Sequence, residues 1–398
     1  MSSRYGIKIY HRDGTTFTIN NDSTLTRMCG TTLTGQVLEG NILLDNRGVA
    51  DASYPTGITV PPGYEWMITL SQSVWFDWGR VYDTVNSAPG GYTRVSARLD
   101  ADRQVIIDYH YTHRIYYVNG HGTGDEHIFG KIQCQVISWP VRGADTGRPS
   151  HRYGIAVGGL DNLQVVPDAG QVSHLHFKGD IDIHDGWTPS EVDPALTMNN
   201  CICFFYTTDP DLVIGLRFGA ARYSVWGKQN GKYGVSMGKV RVRVCIFANL
   251  PPGPPERYGL SVYNKGKLIY NSTQDPLIRP AKVDMSGGFS IDGNGGGFKR
   301  DAVTSPFRYP MYAPAAIGAA VGAMGEYNGS NPKAGNMKAT TSTYVTSNGH
   351  SLYHGYGGRE ADIYGDYPDL LPPAYNYPEV ITSRLPVLVI DGENHFTF

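Results

Sequence analysis

Hydrophobic and polar residues alternate along much of the chain, and one opening pattern occurs three times. RYGIKIY begins at Arg4, RYGIAVG at Arg152 and RYGLSVY at Arg257. After each Arg-Tyr-Gly, aliphatic residues occupy every second position, which is the period of a strand with one buried face. The pattern therefore predicts that each copy begins a β-strand.

Turn signals follow these openings. The runs HRDGTTFTI at 11–19 and NKGKLIY at 264–270 each place a glycine after a polar residue and then resume the alternation. A glycine between two alternating runs is typical of a β-hairpin turn. The middle copy keeps the pattern in GGLDNLQVV at 158–166, with its turn at Asp161-Asn162. We expect a hairpin in each copy.

A second repeated pattern lies at the far end of each repeat. The runs are GKIQCQVISWP at 130–140, GKVRVRVCIFANLP at 238–251 and SRLPVLVIDGENHF at 383–396. All three alternate aliphatic with polar residues or form short aliphatic runs, and they predict closing strands.

Segments rich in proline and glycine follow the first two closing runs, at 141–151 and 251–256. Proline fixes φ and stiffens such linkers. The spacing predicts a first β module at 1–140, a second at 152–250 and a third, loop-rich module at 257–398. Each module is long enough for a two-layer β core of its own.

Composition supports the same fold class. Aromatic residues make up 12% of the chain, with 27 Tyr and 49 Gly. Tyr, Val, Ile and Thr favour strands, whereas Gly and Pro favour turns. We therefore predict an all-β fold of tandem antiparallel β-sandwich-like modules joined by Pro/Gly-rich linkers, with a loop-rich C-terminal module.

Charge, cysteine usage and hydropathy argue against several classes of protein: nucleic-acid-binding, disulfide-rich, zinc-binding, membrane-spanning and secreted proteins. Lys plus Arg (34) and Asp plus Glu (36) nearly balance, and no basic run stands out, which argues against nucleic acid as a partner. Five cysteines without a C-x-x-C pair indicate buried strand thiols rather than disulfides or a zinc site. The apolar stretch at 313–325 is too short to span a membrane. Arg12 and Asp13 interrupt any secretory signal, so export by that route is not expected.

The third opening, RYGLSVYNKGKLIYNSTQDPL at 257–277, resembles the start of small proteins of the tail tip and fibres of tailed bacteriophages. Those proteins share a Tyr-Gly-Leu-x-Val-x-Asn opening, a turn glycine and a closing run similar to LPVLVIDG at 385–392. The first copy departs from the pattern at His11-Arg12-Asp13, and the second lacks the Tyr-Asn pair. The resemblance covers about 20 residues at each end of a module.

The resemblance implies a structural virion protein of a tailed phage, synthesised in the host cytoplasm and incorporated into the tail. It implies other phage tail proteins as partners and a homo-oligomer, with a trimer favoured, and it implies no catalytic residues. A bacterial surface receptor is a further candidate partner. We predict that the chain is not an enzyme and that it has no catalytic, cofactor-binding or metal-binding residues.

The stretch SHLHFKGDIDIHDGW at 173–187 is the best candidate for chemistry. His174 and His176 are two residues apart, so a regular strand places both on one face. Phage spikes of the trimeric class bind iron with such pairs at a symmetry axis. We prefer ordinary strand and turn residues, because no third ligand has a suitable spacing. The other polar members are Asp180, Asp182, His184 and Asp185.

A second histidine-rich region has two interpretations. The functional one is an acid/base or metal cluster. We prefer amphipathic surface residues, because the spacings match no hydrolase signature. Its members are His110, His113, His121, Asp125, Glu126 and His127.

Exposed aromatic residues are predicted in YGDYPDLLPPAYNYP at 364–378, at Tyr364, Tyr367, Tyr375 and Tyr377. Proline-stiffened tyrosines suit protein contacts or stacking on sugars. This feature motivates an alternative function, a receptor- or glycan-binding adhesin. A polysaccharide depolymerase is a third hypothesis, motivated only by the β-rich composition and the clustered His and Asp.

Overall fold

The structure is a computed structural model, and all structural statements below concern the residues it describes. These residues are 6–10, 16–20, 27–33, 49–80, 87–113, 132–140, 172–216, 222–230, 232–253, 261–264, 267–271, 273–291, 298–322, 338–359 and 379–398.

The described residues are almost entirely β-structure, which confirms the all-β prediction. They form 27 strands and two short 3₁₀ turns, Pro189–Glu191 and Gly392–Asn394, with no α-helix among them. Neighbouring strands pair antiparallel. Within this part of the chain no helix has the length and apolar character needed to cross a bilayer.

The first half of the strand series comprises β1 (Gly6–Tyr10), β2 (Thr16–Asn20), β3 (Arg27–Leu33), β4 (Val49–Thr59), β5 (Tyr64–Leu70), β6 (Val74–Arg80), β7 (Ser87–Leu99), β8 (Gln104–His113), β9 (Gln133–Pro140), β10 (His174–Ile183), β11 (Cys201–Tyr206), β12 (Val213–Leu216), β13 (Tyr223–Gln229) and β14 (Lys232–Ser236). The second half comprises β15 (Val240–Ala248), β16 (Ser261–Asn264), β17 (Lys267–Asn271), β18 (Ala281–Val283), β19 (Phe289–Ile291), β20 (Phe298–Arg300), β21 (Val303–Thr304), β22 (Pro310–Tyr312), β23 (Ala316–Gly322), β24 (Lys338–Ser347), β25 (Ser351–Arg359), β26 (Glu379–Thr382) and β27 (Val387–Asp391).

Two of the three repeat openings form the predicted hairpins. β1 pairs with β2 up to Tyr10 opposite Thr16. β16 pairs with β17 up to Asn264 opposite Lys267. The predicted hairpin of the middle copy lies outside the described residues. The three closing runs are strands β9, β15 and β27, as predicted.

Six strands form what we call the central sheet, in the order β10, β15, β11, β22, β27 and β18. The first three belong to the second predicted module and the last three to the third. Phe205 of β11 lies opposite Tyr312 of β22, and Met311 lies opposite Ile390 of β27. The predicted linker at 251–256 therefore connects two parts of one sheet.

The central sheet buries hydrophobic side chains on both faces. On one face, Phe204 and Phe247 pack in a core with Trp139 of β9. On the opposite face, Phe205 and Val345 share a second core, which also takes residues from the sheet β12–β13–β14 and from the sheet β21–β25–β24–β23–β26. Layers on both sides thus exclude water from the inner strands β11, β22 and β27.

The sheet β3–β9–β5 is also covered on both faces. Met67 and Ile137 face the central sheet. Ile68 and Val136 face the other way and pack with Ile107 of the sheet β4–β8–β7–β6. The four-stranded sheet, this three-stranded sheet and the central sheet therefore form consecutive layers.

The expectation that each module contains a separate two-layer core is wrong. The core between the three-stranded sheet and the central sheet contains Trp139, Phe204 and Leu388, one from each predicted module. The physical reason is that β9, β11 and the second half of β15 are buried on both sides, and such strands need a covering layer on each face. The positions of the module boundaries stay a prediction.

Four cysteines, Cys134, Cys201, Cys203 and Cys245, are free and buried in strands, as predicted. Burial raises the pKa of the Cys245 thiol well above its ordinary value. These side chains therefore act as small core residues.

Close packing between β12 and its neighbours depends on a glycine. Gly215 lies beneath the stacked rings of Trp226 and Tyr344, whose centroids are 5.1 Å apart. A Cβ atom at this position would come within 2.7 Å of both rings. Gly287, in contrast, has no atom within 4 Å of an added Cβ.

We predict that Gly215→Ala lowers the free energy of unfolding by about 1–3 kcal/mol, because the added methyl forces the two rings off their positions. Urea denaturation measures this change. Gly287→Ala is the matched control and should stay within about 0.5 kcal/mol of the wild type. Equal effects of the two substitutions would contradict the packing argument.

A buried histidine connects β25 to the loop before β19. His354 Nε2 donates to the Met285 carbonyl at 2.8 Å, and Thr343 Oγ1 lies 2.9 Å from Nδ1. The ring stacks on Phe289 with centroids 5.0 Å apart. Burial, assisted by the nearby Arg300, lowers the pKa of His354 to about 4. The neutral ring is therefore the form that fits this site.

This depressed pKa predicts a loss of stability in acid. The unfolded chain takes up a proton at His354 near its ordinary value of 6.5, whereas the folded chain does so only near 4. The contribution of the neutral His354 ring to the free energy of unfolding is complete above pH 6.5. It declines by up to about 3 kcal/mol as the pH falls toward 4.

The measurement is urea denaturation of the wild type and His354→Gln between pH 7 and pH 4.5. The variant should lose less stability over this interval. Some pH dependence should persist, because burial also lowers the pKa of His174. His350→Gln, at an exposed position, is the control and should keep the wild-type slope. An unchanged slope in His354→Gln would contradict the assignment.

Candidate interaction surface

Aromatic side chains gather at one end of the central sheet, where separate chain segments meet. Tyr206 is the last residue of β11, and Tyr309 directly precedes β22. Phe396 and Phe398 follow the 3₁₀ turn after β27. We call these four residues the aromatic patch.

The rings of the patch are in direct contact. Tyr309 and Phe398 stack face to face, with centroids 4.2 Å apart and planes at 2°. Tyr206 meets Phe398 edge-on at 4.9 Å. The His350 ring lies 5.2 Å from Tyr309 and extends the cluster. Such contacts hold each ring in a defined orientation.

Cationic groups cover part of the patch. The Arg243 guanidinium lies 4.7 Å from the Phe396 ring centroid and 5.1 Å from that of Phe398. Its Nε donates to Asp180 Oδ1 at 2.8 Å, and this hydrogen bond lowers the pKa of the Asp180 carboxyl. Because Asp180, Arg243 and Tyr206 lie opposite one another on adjacent strands, the pairing of the sheet itself aligns them.

A tight turn brings Phe398 back onto Tyr309. Gly392 N donates to the Tyr309 carbonyl at 2.9 Å. A Cβ on Gly392 would lie 2.8 Å from that carbonyl oxygen and 2.9 Å from the Phe398 ring, so glycine permits this approach. The buried His395 packs edge-on against Phe247 of the core and anchors the segment.

The patch is partly open to solvent. Phe398 is 41% exposed, and it is the one exposed large hydrophobic side chain among the described residues. Tyr206, Tyr309 and Phe396 are half-buried. Rigid, half-exposed aromatic faces lose little entropy on binding, and they suit contacts with a protein or with the apolar face of a sugar.

The two histidines of the proposed metal motif have different partners. His174 is buried, and its Nδ1 lies 3.4 Å from the Val172 carbonyl. His176 Nε2 lies 2.7 Å from Asp193 Oδ2. A β-bulge between Leu175 and Phe177 interrupts the strand register, so the regular alternation that would place both on one face does not hold here.

The acidic residues after them stabilise the sheet edge. Asp180 pairs with Arg243, and Asp182 pairs with Arg241 at 3.2 Å, both across β10 and β15. His184 Nε2 donates to Glu191 Oε2 at 3.0 Å, and its Nδ1 donates to the Asp185 carbonyl at 2.9 Å. Among the described residues, no group of three or more His, Cys, Asp and Glu is arranged to hold a metal ion.

The structure describes only part of the second histidine-rich region. His110 is exposed on β8 and lies 3.0 Å from Ser96 Oγ. His113 is the last residue of β8. The residues His121, Asp125, Glu126 and His127, and the tyrosines Tyr364, Tyr367, Tyr375 and Tyr377, lie outside the described residues.

Sequence reasoning missed the aromatic patch. It predicts exposed aromatic residues in the Pro-rich segment at 364–378 and places Phe396 in the closing run at 383–396. The one available signal was the cluster of aromatic residues around the final turn, ENHFTF. Their assembly with Tyr206 and Tyr309 depends on strand pairing over long sequence separations.

Comparison with known proteins identifies the family. The pattern of a family described as a family of unknown function (DUF6453) matches residues 6–352, so the chain belongs to that family. The match begins at β1 and ends in β25, and it therefore crosses both predicted linkers. No curated protein and no solved structure matches the chain.

Proposed function

We propose that the chain is a structural protein of a tailed-bacteriophage virion, located in the tail tip or tail fibre. In this proposal it assembles with other tail proteins as a homo-oligomer, with a trimer favoured, and contributes shape and binding surfaces rather than catalysis. It is made in the infected host's cytoplasm and then incorporated into the particle.

One observation carries the proposal. The two described copies of the opening motif, which is the source of the phage-tail resemblance, form hairpins that are each a two-stranded sheet. A two-stranded hairpin is marginally stable by itself in water. Its edges carry backbone donors and acceptors that a strand of a neighbouring chain can pair with. Repeated hairpins of this type therefore suit assembly into a larger particle.

The layered sheets support the same role. All three predicted modules contribute to the core on one face of the central sheet. The second and third modules share the core on the other face. A shift of any module would therefore break buried contacts. A polar and aromatic cluster adds to this coupling, with Arg300 donating to Asp211 at 2.6 Å and lying over Tyr233 and Tyr356. A stiff body suits a structural component of a tail.

We predict that virions of the phage encoding this chain contain it in the tail. Mass spectrometry of purified particles should detect the chain, and immunogold labelling should place it at the tail tip or fibres. Light scattering after size-exclusion chromatography should give a multiple of the 43.6 kDa chain mass, with three copies favoured. A stable monomer that accumulates in infected cells but never enters particles would contradict the proposal.

The aromatic patch favours a second candidate function, a receptor- or glycan-binding adhesin. Tyr309 and Phe398 already stack on each other, and the exposed face of Phe398 offers a preformed surface for a sugar ring. This function could coexist with a place in the tail, since fibres carry host-attachment surfaces.

The patch predicts binding of the full chain to immobilised host lipopolysaccharide or capsular polysaccharide. Exchanging both Tyr309 and Phe398 for Ala should weaken this binding by about tenfold, because the stacking surface is lost. Tyr233→Ala, at an aromatic cluster elsewhere, is the control and should bind like the wild type. Failure of the wild type to bind either polysaccharide would remove the adhesin hypothesis and leave the structural one.

A further inference from the structure

A cleft of about 250 Å³ lies where the four-stranded sheet meets the loop between β26 and β27. Its lining includes Tyr92, Arg94 and Ser96 of β7, His110 of β8 and Arg384 of the loop. Two arginines and a histidine thus face one small, open volume.

Strand register brings the β7 and β8 residues together. Arg94 lies directly opposite His110 across the two strands, so both side chains are on the same face of the sheet. Ser96, two residues further along β7, is on this face as well and lies 3.0 Å from His110 Nε2. The opposite face of β7 and β8 is filled by the hydrophobic core, for example by Val95 and Tyr109.

Tertiary contacts hold Arg384 at the rim of the cleft. Ser73 Oγ donates to the Ala316 carbonyl at 2.5 Å, which ties the start of β6 to β23. Ser383 N donates to the Ile317 carbonyl at 2.8 Å, which fixes the loop on the same strand. Tyr92 packs against this junction. The site therefore exists only because two distant parts of the chain are joined here.

The described residues that line the cleft include two arginines and no carboxylate. Two acidic residues occupy positions on the same sheet face. Asp51 of β4 lies opposite His110, and Asp108 is engaged by Arg98 at 2.8 Å and by Ser53 at 2.6 Å. Neither Arg94 nor Arg384 makes an ion pair with a described residue. The Nε of Arg94 is buried and has no hydrogen-bond partner there. A buried donor on a cation without a hydrogen-bond partner costs free energy, and the charge of a nearby anion offsets part of that cost.

We infer that this cleft binds an oxyanion, a carboxylate or phosphate group carried by a small ligand or by one unit of a polymer. Guanidinium groups match both oxyanions because their parallel N–H donors can bind two oxygens at once. Ser96 and His110 supply further hydrogen-bonding groups beside them. The volume suits an ion or a single sugar-sized unit rather than a larger molecule. The inference is independent of the virion role.

Isothermal titration calorimetry on the full chain tests the inference at constant ionic strength, with inorganic phosphate, D-glucuronate and D-glucose as ligands. Phosphate or glucuronate should bind, and neutral glucose should not. Arg94→Gln and Arg384→Gln should each weaken anion binding by about tenfold, since each removes a charged hydrogen bond. The tighter of the two anions identifies the source of the group, a free phosphate or a sugar carboxylate.

Arg241→Gln is the matched control, because it removes one positive charge at an exposed position on a different sheet. It should leave the affinity within about twofold of the wild type. Anion binding that falls equally in Arg241→Gln would overturn the inference, as would the absence of binding for both anions up to about 10 mM. If Arg94→Gln fails to fold, Arg384→Gln decides the test, since Arg384 is an exposed loop residue.

Discussion

Burial of the central sheet on both faces is the constraint on which the rest of the structure depends. Adjacent residues of one strand, Phe204 and Phe205, are both fully buried, and they belong to cores on opposite faces. A strand of this kind is unstable unless a layer covers each side. The residues that provide those layers come from both ends of the chain, and this requirement determines how the other sheets are placed.

Exposed ion pairs and the two candidate binding surfaces lie where this layered packing ends. At the edge strand β10, carboxylates pair with the arginines of β15, and such charges discourage pairing with another chain. At one end of the central sheet, the aromatic patch forms over Arg243. At the junction of β6 and β23, two arginines line the cleft. The candidate binding surfaces therefore lie at the edges of the hydrophobic core.

The layered core holds these surfaces in place before a partner binds. Tyr309 and Phe398 are already stacked, and Arg94 is already positioned by its strand, so little conformational freedom remains to be lost when a partner binds. The repeat hairpins differ from these surfaces in what they offer a partner. Each hairpin consists of two strands and presents backbone edges rather than a side-chain surface. Assembly through hairpins and recognition through side chains would thus use separate parts of the chain.

The sequence by itself determined the features that depend on near neighbours. The alternation after each Arg-Tyr-Gly and the turn glycines predicted the hairpins β1–β2 and β16–β17, and the closing runs predicted β9, β15 and β27, because strand period and turn chemistry are local properties. Only the tertiary structure decided that β22 and β27 join β11, and that Tyr206 meets Phe398 or Arg94 shares a cleft with Arg384. These contacts join residues far apart along the chain, and alternation alone cannot specify which of many apolar strands covers which face.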